Sequence, residues 1–179
     1  MTTTQTRTET TAATNPTGER ADLLAVLAKH RFFLRNTLRD LTEEQASQRT
    51  TVSELNLAGL IKHVAAVEQA WMRFVLGGAE AMEAGQAEAD WANGFRLVDG
   101  ETLAGALEHY EEVAKQTDEI VASLPDLDVS RELPKAPWFE PGARWSARRV
   151  LLHLIAEIAQ HSGHADIIRE SLDGAKSMG

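Results

Sequence analysis

The chain has 179 residues, a formal net charge of -9 and an isoelectric point near 5.1, with 43% apolar residues and no cysteine. That length suits one domain of ordinary size. An acidic chain lacks the basic face that nucleic acid or an anionic membrane requires, and the absence of cysteine excludes disulfides, thiolate metal sites and cysteine nucleophiles. No apolar run approaches the ~20 residues that span a bilayer. No secretory apolar stretch opens the chain, so a cytoplasmic protein is expected.

Residues 1–18 read as a flexible tail: the first 17 include nine threonines and no large apolar side chain beyond Met1, too little buried surface to offset the entropy of ordering. Residues 19–179 read as a single helical domain. A first helix is expected from about Glu19 to Asp40, carrying Leu23, Leu24, Leu27, His30, Leu34 and Leu38 at three- and four-residue steps. A second is expected from an N-cap at Ser53 to Leu76, ended by Gly77-Gly78, with a stripe of Leu57, Leu60, Ile61, Val64, Val67, Trp71 and Val75. The third follows Glu101-Thr102 and runs through Leu103, Leu107, Tyr110, Val113 and Ile120 to Leu124, with Pro125 as its stop. The fourth runs from about Ser146 to Leu172 and closes at Asp173-Gly174. No sustained alternation argues for a sheet, so the expected class is an all-α four-helix bundle. Its second and third connections, roughly 77–100 and 125–145, are long. They carry Trp91, Trp138 and Trp145, as lids or as caps.

The fourth helix reads His153-Leu-Ile-Ala-Glu157-Ile-Ala-Gln-His161-Ser-Gly-His164. At about 100° per residue, Glu157, His161 and His164 lie about 40°, 80° and 20° around the helix from His153, so all four share a face. A carboxylate among imidazoles on a face flanked by apolar residues needs a partner: a metal, or a hydrogen-bonded network. Residues four apart rise about 6 Å and can converge on one ion, whereas His153 and His161, about 12 Å apart, cannot. The pairs His153–Glu157 and Glu157–His161 both satisfy this; His161–His164 diverges more. A third ligand must come from another helix, and His63, set among Leu60, Ile61, Val64 and Val67, is the best candidate. A His/Glu/His set suits zinc in an open, catalytic type of site; nickel, iron or manganese also accept nitrogen and oxygen ligands. The paired Glu-x-x-His motifs of a di-iron bundle are missing.

Other polar residues have plainer readings. His30 is a rim or core histidine and His109 part of a solvated face. Arg144, Arg148 and Arg149 crowd a helix start, where the dipole disfavours cations; they contact an anion or pair with local acids. Arg169 and Asp173 read as a surface pair, and Asp166 as a partner for a liganding imidazole.

The stretches Leu57-Ala-Gly-Leu-Ile-Lys-His63-Val-Ala-Ala-Val-Glu68-Gln-Ala-Trp71 and Leu151 through Gly174 resemble the DinB-like superfamily, closest to its actinobacterial branch of mycothiol-dependent enzymes. The likeness covers nearly all of residues 19–175. It implies an up-down-down-up bundle with a metal at one end, held by a histidine of the second helix and a pair on the last. The superfamily's usual His-x-x-x-His is Glu157-x-x-x-His161 here, as in mycothiol-dependent maleylpyruvate isomerase and related thiol transferases. Carried over by position, His63, Glu157 and His161 are the ligands and His153 is not. Gln160 stands where relatives often have arginine. The chain shows no counterpart of the isomerase's extra C-terminal domain, so isomerase activity is not implied. The function so implied is thiol S-transfer by a divalent metal, zinc first, with mycothiol or a similar low-molecular-weight thiol attacking a small electrophile. The alternatives are a non-enzymatic metal-binding protein with a structural or ligand-binding role and a metal-dependent hydrolase. A homodimer is compatible with all three.

Overall fold

The computed structural model describes residues 16–84 and 93–177; the threonine-rich tail and Trp91 fall outside them. The described residues are mostly helical. The elements are α1 (Glu19–Asn36), α2 (Glu43–Ala46), α3 (Leu57–Glu83), α4 (Leu103–Ser123), β1 (Ser130–Glu132), β2 (Arg144–Ser146) and α5 (Ala147–Asp173). α1 packs chiefly on α5, and α3 packs on both α4 and α5. Leu27 and Leu34 of α1, Leu60, Ile61, Val64 and Phe74 of α3, Tyr110 and Val121 of α4, and Leu154 and Ile158 of α5 fill the shared core. No helix among the described residues is long and apolar enough to cross a membrane.

Caps set the helix limits. α1 ends at Asn36, short of Asp40, because Thr37 caps it and Asp40 turns to a positive φ of 58°. α3 begins at Leu57: Asn56, not Ser53, receives the Gly59 amide at 2.8 Å, while Ser53 Oγ accepts from Leu55 N in the preceding turn. Its end also differs from expectation. Gly77-Gly78 kinks the helix instead of stopping it, with Gly78 at φ 77°, and the Arg131 guanidinium takes the carbonyls of Val75 and Leu76 at the kink. α4 starts on a Thr102 cap, and the Leu103 amide donates to Glu43 of α2. Arg20 of α1 donates to the carbonyls of Ala122 and Leu124 at the other end of α4, where helical partners run out. α5 runs from a Ser146 cap to a left-handed Gly174, φ 78°.

The sequence reading omitted α2 and the antiparallel pair β1–β2, whose register sets Arg131 opposite Trp145. Three-residue strands are too short to display an alternation. The approach to this hairpin also serves α5, because Val129 O and Leu127 O accept the free amides of Ala147 and Arg148.

A buried ion cluster ties three helices together. Arg31 of α1 donates to both oxygens of Glu68 on α3 and, at 2.9 Å, to Asp118 of α4. The Glu68 side chain is wholly buried and that of Arg31 nearly so. Removing one member of such a pair strands the other charge, at a cost of about 3–5 kcal/mol, whereas replacing both by apolar residues is often neutral. Arg31→Met is therefore expected to lose about 3–5 kcal/mol in urea denaturation, and Arg31→Met/Glu68→Leu to recover most of it. Equal stability of the single and double variants would contradict this reading of the cluster.

Candidate metal centre

α3 and α5 carry the site. Leu60, Ile61 and Val64 are buried around His63, and Leu154 and Ile158 around Glu157, so each polar side chain leaves its helix at the edge of an apolar seam. There the Nε2 atoms of His63 and His161 approach the same oxygen, Glu157 Oε1, at 3.3 and 3.2 Å. The two imidazoles meet edge to face, 4.9 Å between centroids. One donor atom from each of the three residues lies within 4.8 Å of the other two. The side chains keep 20%, 21% and 12% exposure for His63, Glu157 and His161, so a small molecule can reach them.

These distances bear on what the trio holds. Charge-assisted N–H···O bonds run near 2.7–2.9 Å, so both contacts are long as hydrogen bonds. Donors about 2.0–2.1 Å from a tetrahedral ion stand about 3.4 Å apart, close to the two observed separations. Two imidazoles and a carboxylate are also a donor set that divalent first-row metals accept. The residues present fit a divalent cation. Hydrogen bonds from His161 and His63 hold the Glu157 carboxyl far below the usual carboxylate range, against the opposing effect of partial burial.

Around the trio lie groups of three kinds. Phe95 stacks on His63, 3.9 Å between centroids and 21° between planes, and stands 6.2 Å from His161. His164 Nδ1 lies 3.3 Å from His161 Nδ1, a contact that fixes the ring's orientation. His153 is outside the trio; it sits edge-on to Trp71 and Trp145, which stack on each other at 4.9 Å. The sequence reading missed Phe95 because its loop has no periodicity, and missed the Trp71–Trp145 stack because the hairpin was not foreseen.

Several expected roles change. Arg169 is not on the surface: it is buried, and besides Asp173 it donates to the carbonyls of Thr37 and Arg39 beyond α1. Asp166 accepts from Ser177 rather than from an imidazole. Arg148 pairs with Glu19 and Asp128, and Arg144 donates to Ser130 O, so these two serve local structure. Arg149 lies over the Trp145 ring at 4.8 Å. His109 is exposed and His30 half-buried. Trp138 is solvent-exposed. A groove of about 920 Å³ opens between α1 and α4, over Arg31 and Asp118; none of the trio lines it.

The family model described as Mycothiol-S-transferase matches residues 22–174. A search of curated proteins returns no match.

The placement of Phe95 depends on Gly59. A Cβ at that position would stand 1.8 Å from the Phe95 carbonyl oxygen, and Lys62 and Asn56 reach the carbonyls of Arg96 and Phe95 beside it. Gly59→Ala is expected to cost about 1–3 kcal/mol, as overpacking does, and to remove the ring-current shift that Phe95 imposes on the His63 protons. Urea denaturation and proton NMR check this; an unshifted His63 spectrum in the variant would show that the loop does not need the glycine.

Proposed function

The chain belongs to the mycothiol-S-transferase family, and from that premise we propose that it is a divalent-metal-dependent thiol S-transferase. Its substrates in this reading are mycothiol, or a closely similar low-molecular-weight thiol, and a small electrophile. His63, Glu157 and His161 are the proposed ligands, and zinc is the proposed metal. The observation that carries the proposal is the convergence of two imidazole nitrogens on one carboxylate oxygen at 3.2–3.3 Å, a separation that ligands around one ion also have. When bound, such an ion lowers the pKa of a coordinating thiol so that a thiolate is present at neutral pH.

The chain's own residues supply the rest. Glu157 offers the one negative charge of the ligand set. His164 fixes the outer nitrogen of His161, which leaves Nε2 directed at the site. Phe95 covers His63 on one side and keeps water from that face. The partial exposure of all three ligands leaves an approach for the thiol. Three protein ligands, rather than the four of a closed structural site, leave a position for substrate. The up-down-down-up order of the four long helices belongs to the same proposal, supported by α1 packing chiefly on α5 rather than on the next long helix, α3. So does a cytoplasmic location, with which a cysteine-free acidic chain agrees.

Metal analysis and a thiol-consumption assay test the proposal together. The wild type is expected to retain about one ion per chain after dialysis and to accelerate mycothiol consumption by an alkyl or aryl halide. His63→Ala is expected to lose both properties, because two protein ligands rarely keep zinc at useful affinity. Unchanged metal content in His63→Ala removes His63 from the ligand set. A loaded wild type that accelerates no thiol transfer argues for a binding or structural role.

A further inference from the structure

The side of α5 that faces away from the core is apolar. At about 100° per residue, Leu152, Ala156, Gly163 and Ile167 fall within about 60° of one another around the helix. All four are exposed, Leu152 by 46% and Ile167 by 60%, and a Cβ added at Gly163 would meet nothing within 4 Å. The buried positions Leu154, Ile158 and Ala165 lie on the opposite side of the helix. Arg149 and Glu170 share the exposed sector and stand at its two ends, with no charged residue of that sector between them. Glu157 and His161 leave the helix about 140° and 180° from Leu152, so a partner seated on this side leaves the metal centre open.

Read in reverse, the stripe is its own complement. About a two-fold axis between Ala159 and Gln160, an antiparallel second copy of α5 sets Leu152 against the partner's Ile167, Ala156 against the partner's Gly163, and Arg149 against the partner's Glu170. Large apolar side chains meet large ones, small meet small, and cation meets anion. Each contact occurs twice, as an isologous interface requires, and the small residues let the two helices approach closely. A parallel pairing would instead set Arg149 on Arg149 and Glu170 on Glu170. The end charges are available for this role. Arg149 forms no ion pair among the described residues; its guanidinium lies 4.8 Å from the centre of the Trp145 ring, a stack that holds the head and leaves its N–H edge free. Glu170 has Lys176 at 3.7 Å. The flanking charges are already engaged: Arg148 binds Glu19 and Asp128, and Asp166 accepts from Ser177.

We propose that this side of α5 is the contact between two copies of the chain, which pair as an antiparallel two-fold dimer. Burying a row of exposed apolar side chains supplies the drive. The two Arg149–Glu170 pairs at the ends set the direction and register, because like charges brought together there would oppose every other arrangement. One pair of helices, about 30 Å long from Arg149 to Glu170, is a small interface, so a dissociation constant on the order of micromolar is expected. The pairing does not depend on thiol transfer.

Sedimentation equilibrium of the purified full chain over about 1–500 μM tests this. The wild type is expected to approach twice the chain mass of 19.6 kDa as concentration rises. Ile167→Glu sets a carboxylate against the partner's Leu152, and Arg149→Glu and Glu170→Arg each bring like charges together. Each is expected to weaken association about 10-fold or more, with helical circular dichroism unchanged. An equimolar mixture of the Arg149→Glu and Glu170→Arg chains is expected to associate about as tightly as the wild type, because both unlike pairs re-form between the two chains. Cross-linking gives a second reading, since the chain has no cysteine. The two positions of Ala156→Cys/Gly163→Cys are about 10 Å apart along one helix, too far to bridge within a chain, so oxidation is expected to give a covalent dimer. A wild type that stays at 19.6 kDa throughout overturns the proposal and leaves the face to a different protein. A dimer indifferent to Ile167→Glu uses another surface, which also overturns it. So does a mixture no tighter than its components, or a double cysteine variant that yields no more covalent dimer than Val52→Cys, exposed elsewhere on the molecule.

Discussion

The site depends on the register between α3 and α5. His63 and Glu157 lie 94 positions apart in the chain, yet Nε2 of one must stand within a few ångströms of Oε1 of the other. A slip of one residue along either helix would shift a side chain by about 1.5 Å and turn it by about 100°, enough to take it off the seam. Apolar packing alone sets such a register loosely, because neighbouring core positions offer surfaces of similar shape. The Arg31–Glu68–Asp118 cluster supplies a directional constraint, since a guanidinium binds a carboxylate in a fixed fork geometry. It joins α1, α3 and α4 through one side chain, while α5 is located by its packing on α1 and α3 and by Arg169 on the carbonyls beyond α1.

The long connections then wall the site. The segment after Asn93 lies on the first turns of α3, where the missing side chain of Gly59 admits its backbone, and it delivers Phe95 to the face of His63. The β1–β2 hairpin binds the kinked end of α3 through Arg131, offers carbonyls to the start of α5 through the residues before it, and sets Trp145 on Trp71. Both devices place aromatic carbon next to the imidazoles. Apolar walls reduce the effective dielectric around a charged site and strengthen every interaction of charge within it.

Much of this was legible from residue spacing. Four long amphipathic stripes marked the four long helices, and Ser146 and Gly174 announced the limits of α5. The four-residue step from Glu157 to His161, with His63 inside an apolar stripe, singled out side chains that the fold does bring together. Spacing alone left His153–Glu157 equally open, because helical geometry does not say which end of a face another helix will meet. The errors share that origin. Arg169 and Asp173 stand at the separation of a surface pair, but only the packing of the loop after α1 buries the arginine. Asn56 and Ser53 are both good caps, and the tertiary contact of Asn56 with the Phe95 carbonyl favours the later one. The hairpin and Phe95 have no periodic signal at all, since their positions come from contacts distant in sequence.

X-ray absorption at the zinc edge of the loaded protein, before and after addition of mycothiol, tests the central claim most directly. The chain contains no cysteine, so a thiolate sulfur neighbour can come only from the added thiol. The expected result is a shell of nitrogen and oxygen at about 2.0–2.2 Å that includes two imidazoles, with one sulfur appearing near 2.3 Å on addition of the thiol. A shell closed by four protein ligands and unchanged by mycothiol would contradict it.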